Sequence, residues 1–481
     1  MKKFYVTTAI DYPNGAPHLG HALEKVQADV LARYYRSKLG EKKVHFVTGT
    51  DEHGVKIART AEQEKITPEQ LVERNVPKFL ELLKALNVSN DDFVRTSEPR
   101  HEKAATALWK ALEAAGTLEK RSYGGWYCVG CEAFKTDREI TDKRCMLHPT
   151  RDLEWVEEEN WFFKLSDFKS KLKKHFEAHP DFVQPEHRKR EVLNVIEELE
   201  DVSFSRPRAS LDWGVPVPGD PDQVMYVWCD ALTNYISAIG YPDELKMGEW
   251  WGGETQVTHV IGKDILRFHA AIWPAMLMVA GLPLPNTIFV HGFIHTKEGH
   301  LSKSSGNIVD PMELVEKYGS DAVRYFLLRE IPTSDDGDFS IERFEQVYNA
   351  DLANNLGNLV TRVYSMINRY LDGKIPSGFE SDYAPVELGK EFSNFRLSTA
   401  LAQILYRFGT LNAYLEQNAP WKLEKGSNKQ AEILWNAHDN LQYYAKQLAI
   451  FLPETAEKIK QFVDGDKVVL QPPLFPRLEK K

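Results

Sequence analysis

Long apolar runs and cysteine are scarce in this chain of 481 residues, and basic charge falls short of acidic. No apolar run reaches the ~18 residues that a membrane-crossing helix needs, so no membrane span is expected. A leader is not expected either. Met1-Lys2-Lys3 followed by Phe4–Ile10 imitates a signal peptide, but Asp11 and Pro13 cut the apolar segment short and it serves better as a strand. The formal net charge of −10 excludes a protein coated in basic surface, while a basic groove on an acidic molecule stays open. The 4 cysteines are Cys128, Cys131, Cys145 and Cys229, and the first three crowd beside His148. That spacing argues against a disulfide framework and for a compartment that keeps thiols reduced, the cytoplasm.

The length allows two or three domains around a large core. Its organising stretch is Asp11-Tyr-Pro-Asn-Gly-Ala-Pro-His18-Leu-Gly-His21. Before it, Phe4–Ile10 is apolar and β-branched; after it, Leu19, Leu23, Val26, Val30, Leu31 and Tyr34 form an amphipathic helical stripe. A strand–turn–helix junction suits phosphate, because the first N–H groups of the helix point outward and its dipole favours negative charge. His18 and His21 share the first helical turn, and Gly20 leaves room for a flat ring. The same pair is also compatible with a solvated helix start or half a metal site. Residues 43–54 predict a second strand that ends in Asp51-Glu52-His53 on the same rim, where Asp51 either holds a substrate ammonium or caps the next helix. Thr67–Leu86 and Arg100–Ala115 predict helices that cover the sheet.

From Gly116 the character changes. Cys128-x-x-Cys131 and Cys145-x-x-His148 supply three thiolates and an imidazole in two knuckle-like pairs, a closed tetrahedral set for one structural Zn²⁺. Cys229 stands alone in an apolar stretch and reads as core packing. Basic runs at 169–174 and 187–190 meet phosphate or, more commonly, face water. Strand-like patterns return at Val224–Tyr235, Gln256–Ile265 and Thr287–Gly292, as a second half of a doubly wound sheet requires. Trp228, Tyr235, Ile265 and His269, if joined by Tyr12, make an aromatic pocket for an apolar side chain; otherwise they are core. His295–Asn307 is a polar, Gly-bearing loop whose Lys303 is able to reach phosphate oxygens or simply faces solvent. Helical patterns then run from Ile341 to about Val463, with Asn358 and Arg362 on one face and Pro420-Trp421 opening a later helix. Trp beside Asn and Arg is equipment for stacking and reading an unpaired RNA base, or for packing a bundle. Gln471-Pro-Pro-Leu-Phe-Pro476 predicts an extended strap.

Taken together, these motifs resemble the class I aminoacyl-tRNA synthetases, and within them the methionyl-tRNA synthetase family, over almost the whole length. His18-Leu-Gly-His21 looks like the HIGH motif and Leu301-Ser-Lys303-Ser304 like the KMSKS loop. The Cys/Cys/Cys/His set is similar to the single-zinc form of that family. Tyr226-Val-Trp228-x-Asp230-Ala231 and Gly262-Lys-Asp264-Ile265 resemble its methionine and adenosine stretches. Asn349-Ala-Asp with Asn358 and Arg362, and Asn418-Ala-Pro420-Trp421, look like its CAU-anticodon reader.

The resemblance implies a Rossmann-type, doubly wound parallel α/β sheet split by a zinc-bearing insertion and followed by an all-α helical-bundle anticodon-binding domain. The implied segments are 1–115 and 226–295 for the catalytic halves, 116–225 for the insertion, 296–345 for the loop and connector, and 346–481 for the anticodon domain. It assigns Ile10, Tyr12, Trp228, Ala231, Tyr235, Ile265 and His269 to a methionine pocket, with Asp51 on the ammonium. His18, His21 and Lys303 go to the triphosphate of ATP, accompanied by Mg²⁺, and Gly20, Gly262 and Asp264 to the adenosine side. The implied activity is ATP-dependent activation of L-methionine and its transfer to tRNA(Met), by a monomer. The chain departs from the family at His300, where the loop has its first lysine, at Leu301, and at Leu232, where some relatives have Pro. His300 keeps open a tRNA-binding relative without catalysis. A sister synthetase for another apolar amino acid is disfavoured by an insertion too small for a separate editing domain.

Overall fold

The computed structural model describes residues 1–135, 139–146, 148–296, 299–300, 309–381 and 384–479. It divides into two units, one of Met1–Pro17, Tyr35–Leu82 and Ser89–His291, the other of His18–Tyr34, Leu83–Val88 and Gly292–Lys481.

The first unit is built on β1 (Lys3–Thr8), β2 (Val44–Thr50), β3 (Asp92–Arg95), β4 (Val183–Gln184), β5 (Thr255–Gly262) and β6 (Thr287–His291), ordered β4-β6-β5-β1-β2-β3. Every neighbouring pair is parallel. Tyr5, Val6, Thr7 and Thr8 of the central strand are wholly buried, which explains its unbroken apolar and β-branched sequence. Thr7 lies opposite Val47 on one side and His259 on the other, so the carboxyl ends of β1, β2 and β5 are level. Strand order reverses between β1 and β5, the switch point at which such sheets hold ligands. Helices at Pro68–Ala85 and Pro99–Ala114 lie within a residue of their expected ends. The second starts with Pro at its first position and buries Ala104, Ala105, Leu108, Trp109 and Leu112 at helical spacing.

Two expectations fail here. Val183–Gln184, inside the expected insertion, pairs with Ile288 and Phe289 as edge strand β4 of the main sheet. So short a non-local pairing leaves no periodic trace in the sequence. Val224–Tyr235 is not a strand of the parallel sheet. Asp220–Met225 joins a small antiparallel sheet with Ser205–Pro207 and Pro216–Val217, and Val227–Ala231 and Asn234–Ser237 are helical. The carbonyl of Tyr226 accepts from the N–H groups of Cys229 and Asp230 at 2.9 and 3.1 Å, which turns the chain. A run buried on all sides loses the alternation that separates helix from strand. The rest of the insertion is a long antiparallel pair, Leu118–Cys128 with Glu154–Phe163, edged by Ala133–Lys135 and Val202–Ser203. A separate small sheet of Ile140–Thr141, Arg144–Cys145 and His148–Asp152 completes the knuckle.

Helix α1 (Leu19–Leu39) begins in the second unit and is buried nearly all round rather than along one stripe. Its polar residues are therefore paired: Glu24 with Lys25 at 2.8 Å, and Asp29 with Arg33 and Arg324 at 2.7 Å each. Arg324, wholly buried, also donates to the carbonyls of Phe451 and Leu86 at 2.8 and 3.0 Å. It thus ties three separate pieces of this unit together. Helices at Pro311–Tyr318, Ser320–Arg329, Ile341–Val347, Asn358–Tyr370, Gly389–Ser393, Leu397–Asn418, Asn428–Leu448 and Pro453–Lys460 make up most of the rest, with a π-helical stretch at Tyr348–Gly357 and two small sheets. Pro420 opens a helix, as expected, but one of a single 3-10 turn ending at Lys422; Ala419 before it and Gly426 after it both adopt positive φ and break the run, and the next α-helix starts at Asn428. The strap is held by Asn349, which donates to the carbonyl of Leu478 and accepts from its N–H at 3.1 and 2.9 Å. Among the described residues no helix is long and apolar enough to cross a membrane.

Candidate active site and metal knuckle

In the first unit the residues just past β1 and β2 hold each other. Asp11 N–H donates to the Gly49 carbonyl and Asp51 N–H to the Asp11 carbonyl, both at 2.9 Å. Gly49 has to be glycine, since a Cβ there would lie 2.0 Å from the Val94 carbonyl oxygen. This places Asp51 in the interior, where Oδ1 is buried without a hydrogen-bond partner. Burial raises the Asp51 pKa well above the ordinary carboxylate range, and the charges of Asp230 and Glu132 push the same way. A carboxylate with an unpartnered oxygen among other acids fits a bound cation. Glu52 beside it is saturated instead, accepting from Thr50, Arg95 and Ser97.

Trp228, Tyr235 and Ile265 each meet His269. Trp228 stacks on Phe268 with centroids 3.9 Å apart and meets the His269 ring edge-on at 6.0 Å. Tyr235 hydroxyl bonds His269 Nε2 at 2.6 Å, and His269 Nδ1 bonds the Ile265 carbonyl at 2.9 Å. Only a carbonyl acceptor at Nδ1 and a hydroxyl at Nε2 leave the neutral ring protonated on Nδ1. Ala231, Tyr235 and His269 are buried, and Ile10, Tyr12, Trp228 and Ile265 are half-buried. Gly262 ends β5 with the Asp264 carboxylate 2.8 Å from where a Cβ would stand, and Asp264 itself is exposed.

Beneath this wall lies a network that the sequence did not single out. Asp230, wholly buried, takes His53 Nδ1 at 2.6 Å on one oxygen and His101 Nε2 at 2.8 Å on the other. His101 Nδ1 continues to Ser237 Oγ at 3.0 Å. Burial alone would raise the Asp230 carboxyl, but the two imidazoles outweigh it and hold its pKa well below the usual range. Burial likewise opposes a charge on His53, and facing Asp230 leaves the imidazole's pKa raised. Glu132 was also missed. It accepts from the Tyr12 hydroxyl at 2.5 Å and from Lys56 N–H at 2.9 Å. Three chain segments meet in each case, and no local pattern announces that.

In the second unit α1 opens with two self-capping histidines. His18 N–H donates to His21 Nδ1 at 2.9 Å, and Gly20 N–H to His18 Nδ1 at 3.1 Å. Their rings lie 3.8 Å apart. With Nδ1 accepting in both, the neutral rings carry their protons on Nε2, a donor suited to phosphate oxygen. A Cβ on Gly20 would meet His18 Cε1 at 2.9 Å, so glycine gives the ring its place. The loop residues 301–308, with Lys303, lie outside the described residues; Gly299–His300 pairs with His295 and Thr296. Farther along this unit, Asn358 is exposed and the Arg362 guanidinium lies 4.6 Å from the Trp421 ring while pairing with Glu416 at 2.6 Å. Pro420 is buried, its carbonyl taken by Gln430 at 2.8 Å.

Among the described residues the one cluster able to ligate a metal is Cys128, Cys131, Cys145 and His148, whose ligand atoms all lie within 4.8 Å of one another. Individual edges are 3.7 Å (Cys128 Sγ to His148 Nδ1), 3.6 Å (Cys131 Sγ to Cys145 Sγ) and 3.4 Å (Cys131 Sγ to His148 Nδ1). A tetrahedron with Zn–S of ~2.3 Å and Zn–N of ~2.0 Å has edges of about 3.5–3.8 Å, so the set fits zinc. The Cys128 thiol is lowered to about 3, first by the Cys131 thiol and then by His148, while Cys131 is driven up by Cys128 and by burial. One thiolate forms readily and the next is resisted, a repulsion that a dication relieves. Cys229 is buried with its thiol pushed up by burial, consistent with core packing. In the basic runs part of the charge is paired with neighbouring acids, Arg188 with Glu191 and Lys173 with Glu197.

Residues 4–148 and 138–364 match the family model for tRNA synthetases class I (M). A methionine–tRNA ligase of Brucella suis biovar 1 is 42% identical, with 99% of this chain and 98% of that protein aligned. One from Clostridium acetobutylicum is 42% identical over 95% of this chain and 73% of its own length. Among solved structures, Mycobacterium tuberculosis methionyl-tRNA synthetase in complex with methionyl-adenylate superposes with a TM-score of 0.92 at 39% identity, covering 99% of this chain and 100% of that one. The ligand-free form of the same enzyme gives 0.85 at 36% identity, covering 100% and 99%.

Proposed function

The chain belongs to the class I tRNA synthetases of the methionine type, and from that membership we propose how its own residues do the work. It activates L-methionine with ATP and transfers it to tRNA. A methionine carboxylate oxygen attacks the α-phosphorus of ATP; the bond to the bridging oxygen breaks and pyrophosphate leaves with the electron pair. A ribose hydroxyl at the tRNA 3′ end then attacks the carbonyl carbon, loses its proton and expels AMP. No protein nucleophile takes part, so the chain's task is alignment of two anions and stabilisation of the departing charge.

The observation that carries the residue assignment is the unpartnered oxygen of buried Asp51. We assign it to the methionine ammonium, with Tyr12, Ile10, Trp228, Ala231, Tyr235, Ile265 and His269 around the side chain. Selection by shape and sulfur–aromatic contact discriminates a methylene by only about 1–3 kcal/mol. Gly20, Gly262 and Asp264 are assigned to adenosine, and the Nε2–H groups of His18 and His21, with Lys303, to the triphosphate. Mg²⁺ bound with ATP would supply further neutralisation of the phosphates. The knuckle is assigned one Zn²⁺ with a structural role, since four protein ligands leave no open position. Asn358, Arg362, Pro420 and Trp421 are assigned to the tRNA(Met) anticodon; the half-buried Trp421 ring under a guanidinium is a stacking surface. Segments 1–115 and 226–295 would carry activation, 116–225 the knuckle, 296–345 the loop and connector, and 346–481 anticodon reading. We place it as a monomer in a thiol-reducing cytoplasm, consistent with four unpaired cysteines.

Amino-acid-dependent ATP–pyrophosphate exchange, run against each proteinogenic amino acid with and without Mg²⁺, tests the reading. Exchange with methionine alone is expected. Exchange with another amino acid would overturn the specificity, and none at all in zinc-loaded folded protein would leave a tRNA-binding relative.

A further inference from the structure

We propose that Glu132, the residue after knuckle ligand Cys131, is a positioning residue for the amino-acid pocket that couples the metal knuckle to Tyr12. The inference rests on the reading of Tyr12 and Asp51 as methionine-binding residues.

A carboxylate on a knuckle turn is normally solvated, yet Glu132 is 1% exposed. Both its oxygens are engaged by the pocket. Oε2 accepts from the Tyr12 hydroxyl at 2.5 Å, and Oε1 accepts from the N–H of Lys56, at the start of the helix Val55–Glu64 that follows Asp51-Glu52-His53. Lys56 Nζ stands 3.9 Å from Oε2 and 4.8 Å from the Tyr12 ring centroid, closing the group on its other side. The cradle is cut to fit: Gly54, at φ 97°, has Glu132 Oε1 2.9 Å from where a Cβ would stand. Tyr12 packs at once against the large core of this unit and against the smaller cluster of Ile57, Ala61, Leu71, Val72 and Val76. Tyr12 also lies within electrostatic reach of Asp51, whose charge adds to burial in raising the phenol's pKa. Glu132 thus holds Tyr12 directly by a hydrogen bond, and Tyr12 stands beside Asp51.

The knuckle fixes the other end. Glu132 has φ 52°, a left-handed conformation that a non-glycine residue holds only when its surroundings impose it. The imposing structure is the ligand turn. Cys131 N–H donates to Cys128 Sγ at 3.4 Å, and Gly130 lets the His148 ring pack so close that a Cβ would lie 2.5 Å from its Cγ. Drawing the ligands together therefore sets the Glu132 backbone, its carboxylate sets the Tyr12 hydroxyl, and Tyr12 sets one wall of the pocket beside Asp51. Loosening the knuckle weakens methionine binding through this route without any ligand of the metal touching substrate.

The test uses zinc-loaded full chain and the variants Glu132→Gln, Tyr12→Phe and the double variant. Methionine KM, ATP KM and kcat come from pyrophosphate exchange, methionine binding without ATP from tryptophan fluorescence, and zinc from metal analysis. Glu132→Gln removes the charge and reverses the bond to Tyr12, since the amide oxygen stays on the Lys56 N–H and the NH2 donates to the phenol oxygen. Each single variant is expected to weaken methionine binding about tenfold, the size of one hydrogen bond to a charged group, with ATP KM and zinc content unchanged. The double variant should be no worse than the singles. Chelating the zinc should weaken methionine binding in the parent and add nothing in Tyr12→Phe. An unchanged methionine KM at normal zinc content, or independent effects in the double variant, overturns the proposal while the activity stands. Were Glu132→Gln not to fold, Tyr12→Phe with and without chelator decides the matter. A parent without methionine-dependent exchange overturns the activity reading first, and this proposal with it.

Discussion

Asp51 and Asp230 are both buried carboxyls on the same unit, yet their environments drive them in opposite directions. Asp51 faces other acids and its pKa is raised, so its ionisation weighs against the folded state increasingly as pH rises above the unfolded value of ~3.9. An ammonium reverses that. Methionine binding should therefore strengthen as pH rises through the Asp51 pKa, with release of a proton, as calorimetry in buffers of different ionisation enthalpy would record. Asp51→Asn should weaken methionine binding by roughly 10–100-fold, since a charged hydrogen bond contributes about 1.5–3 kcal/mol, while raising the thermal midpoint of the ligand-free protein. Asp230 is the reverse case. Its depressed pKa gives stability present above ~3.9 and lost as pH falls below it, and the raised pKa of His53 gives stability present below ~6.5 and lost as pH rises through the folded value. Asp230→Asn, which strands two buried imidazoles, should cost about 3 kcal/mol in urea unfolding. The loss should be greatest between about pH 4 and 6.5, the window bounded by those two reference values.

At the scale of elements, the knuckle and the start of α1 are pre-shaped in different ways. Three thiols within 4.8 Å of one another repel once ionised, so the small sheet of residues 140–152 should depend on a cation. Cys145→Ser should leave zinc substoichiometric by metal analysis and lower the thermal midpoint, whereas Cys229→Ser should retain its zinc. The α1 entry needs no such help, because His18, Gly20 and His21 satisfy one another. His21→Ala removes an Nε2–H donor and also the acceptor for the His18 N–H. It should lower kcat of pyrophosphate exchange by about 10²-fold with methionine binding little changed, the signature of an interaction made chiefly in the transition state.

For the whole molecule, activation and anticodon reading are assigned to different residues and should separate. Trp421→Ala is expected to preserve methionine-dependent pyrophosphate exchange and to reduce aminoacylation of tRNA(Met) by at least about tenfold, consistent with ~1–3 kcal/mol per stacked base. Equal loss in both assays would contradict the assignment. What the sequence determined by itself was whatever is encoded locally. The apolar runs of β1, β2, β5 and β6, the helices near 68–85 and 99–114, and the paired Cys/His spacing of the knuckle are each carried by neighbours in the chain. Trp228, Tyr235 and His269 were grouped through the family resemblance, since from the residues alone core packing was the commoner reading. Tertiary structure alone decided the rest. β4 exists only because residues 183–184 find 288–289, and the strand expected at Val224–Tyr235 is helical from Val227 on because complete burial erases periodicity. The Asp230 network joins residues 53, 101, 230 and 237, and Glu132 reaches Tyr12 and Lys56 across more than seventy positions of chain. A hydrogen bond in a buried site is fixed by where separate segments arrive together, and that is settled by packing of the whole core rather than by any spacing a linear chain can display.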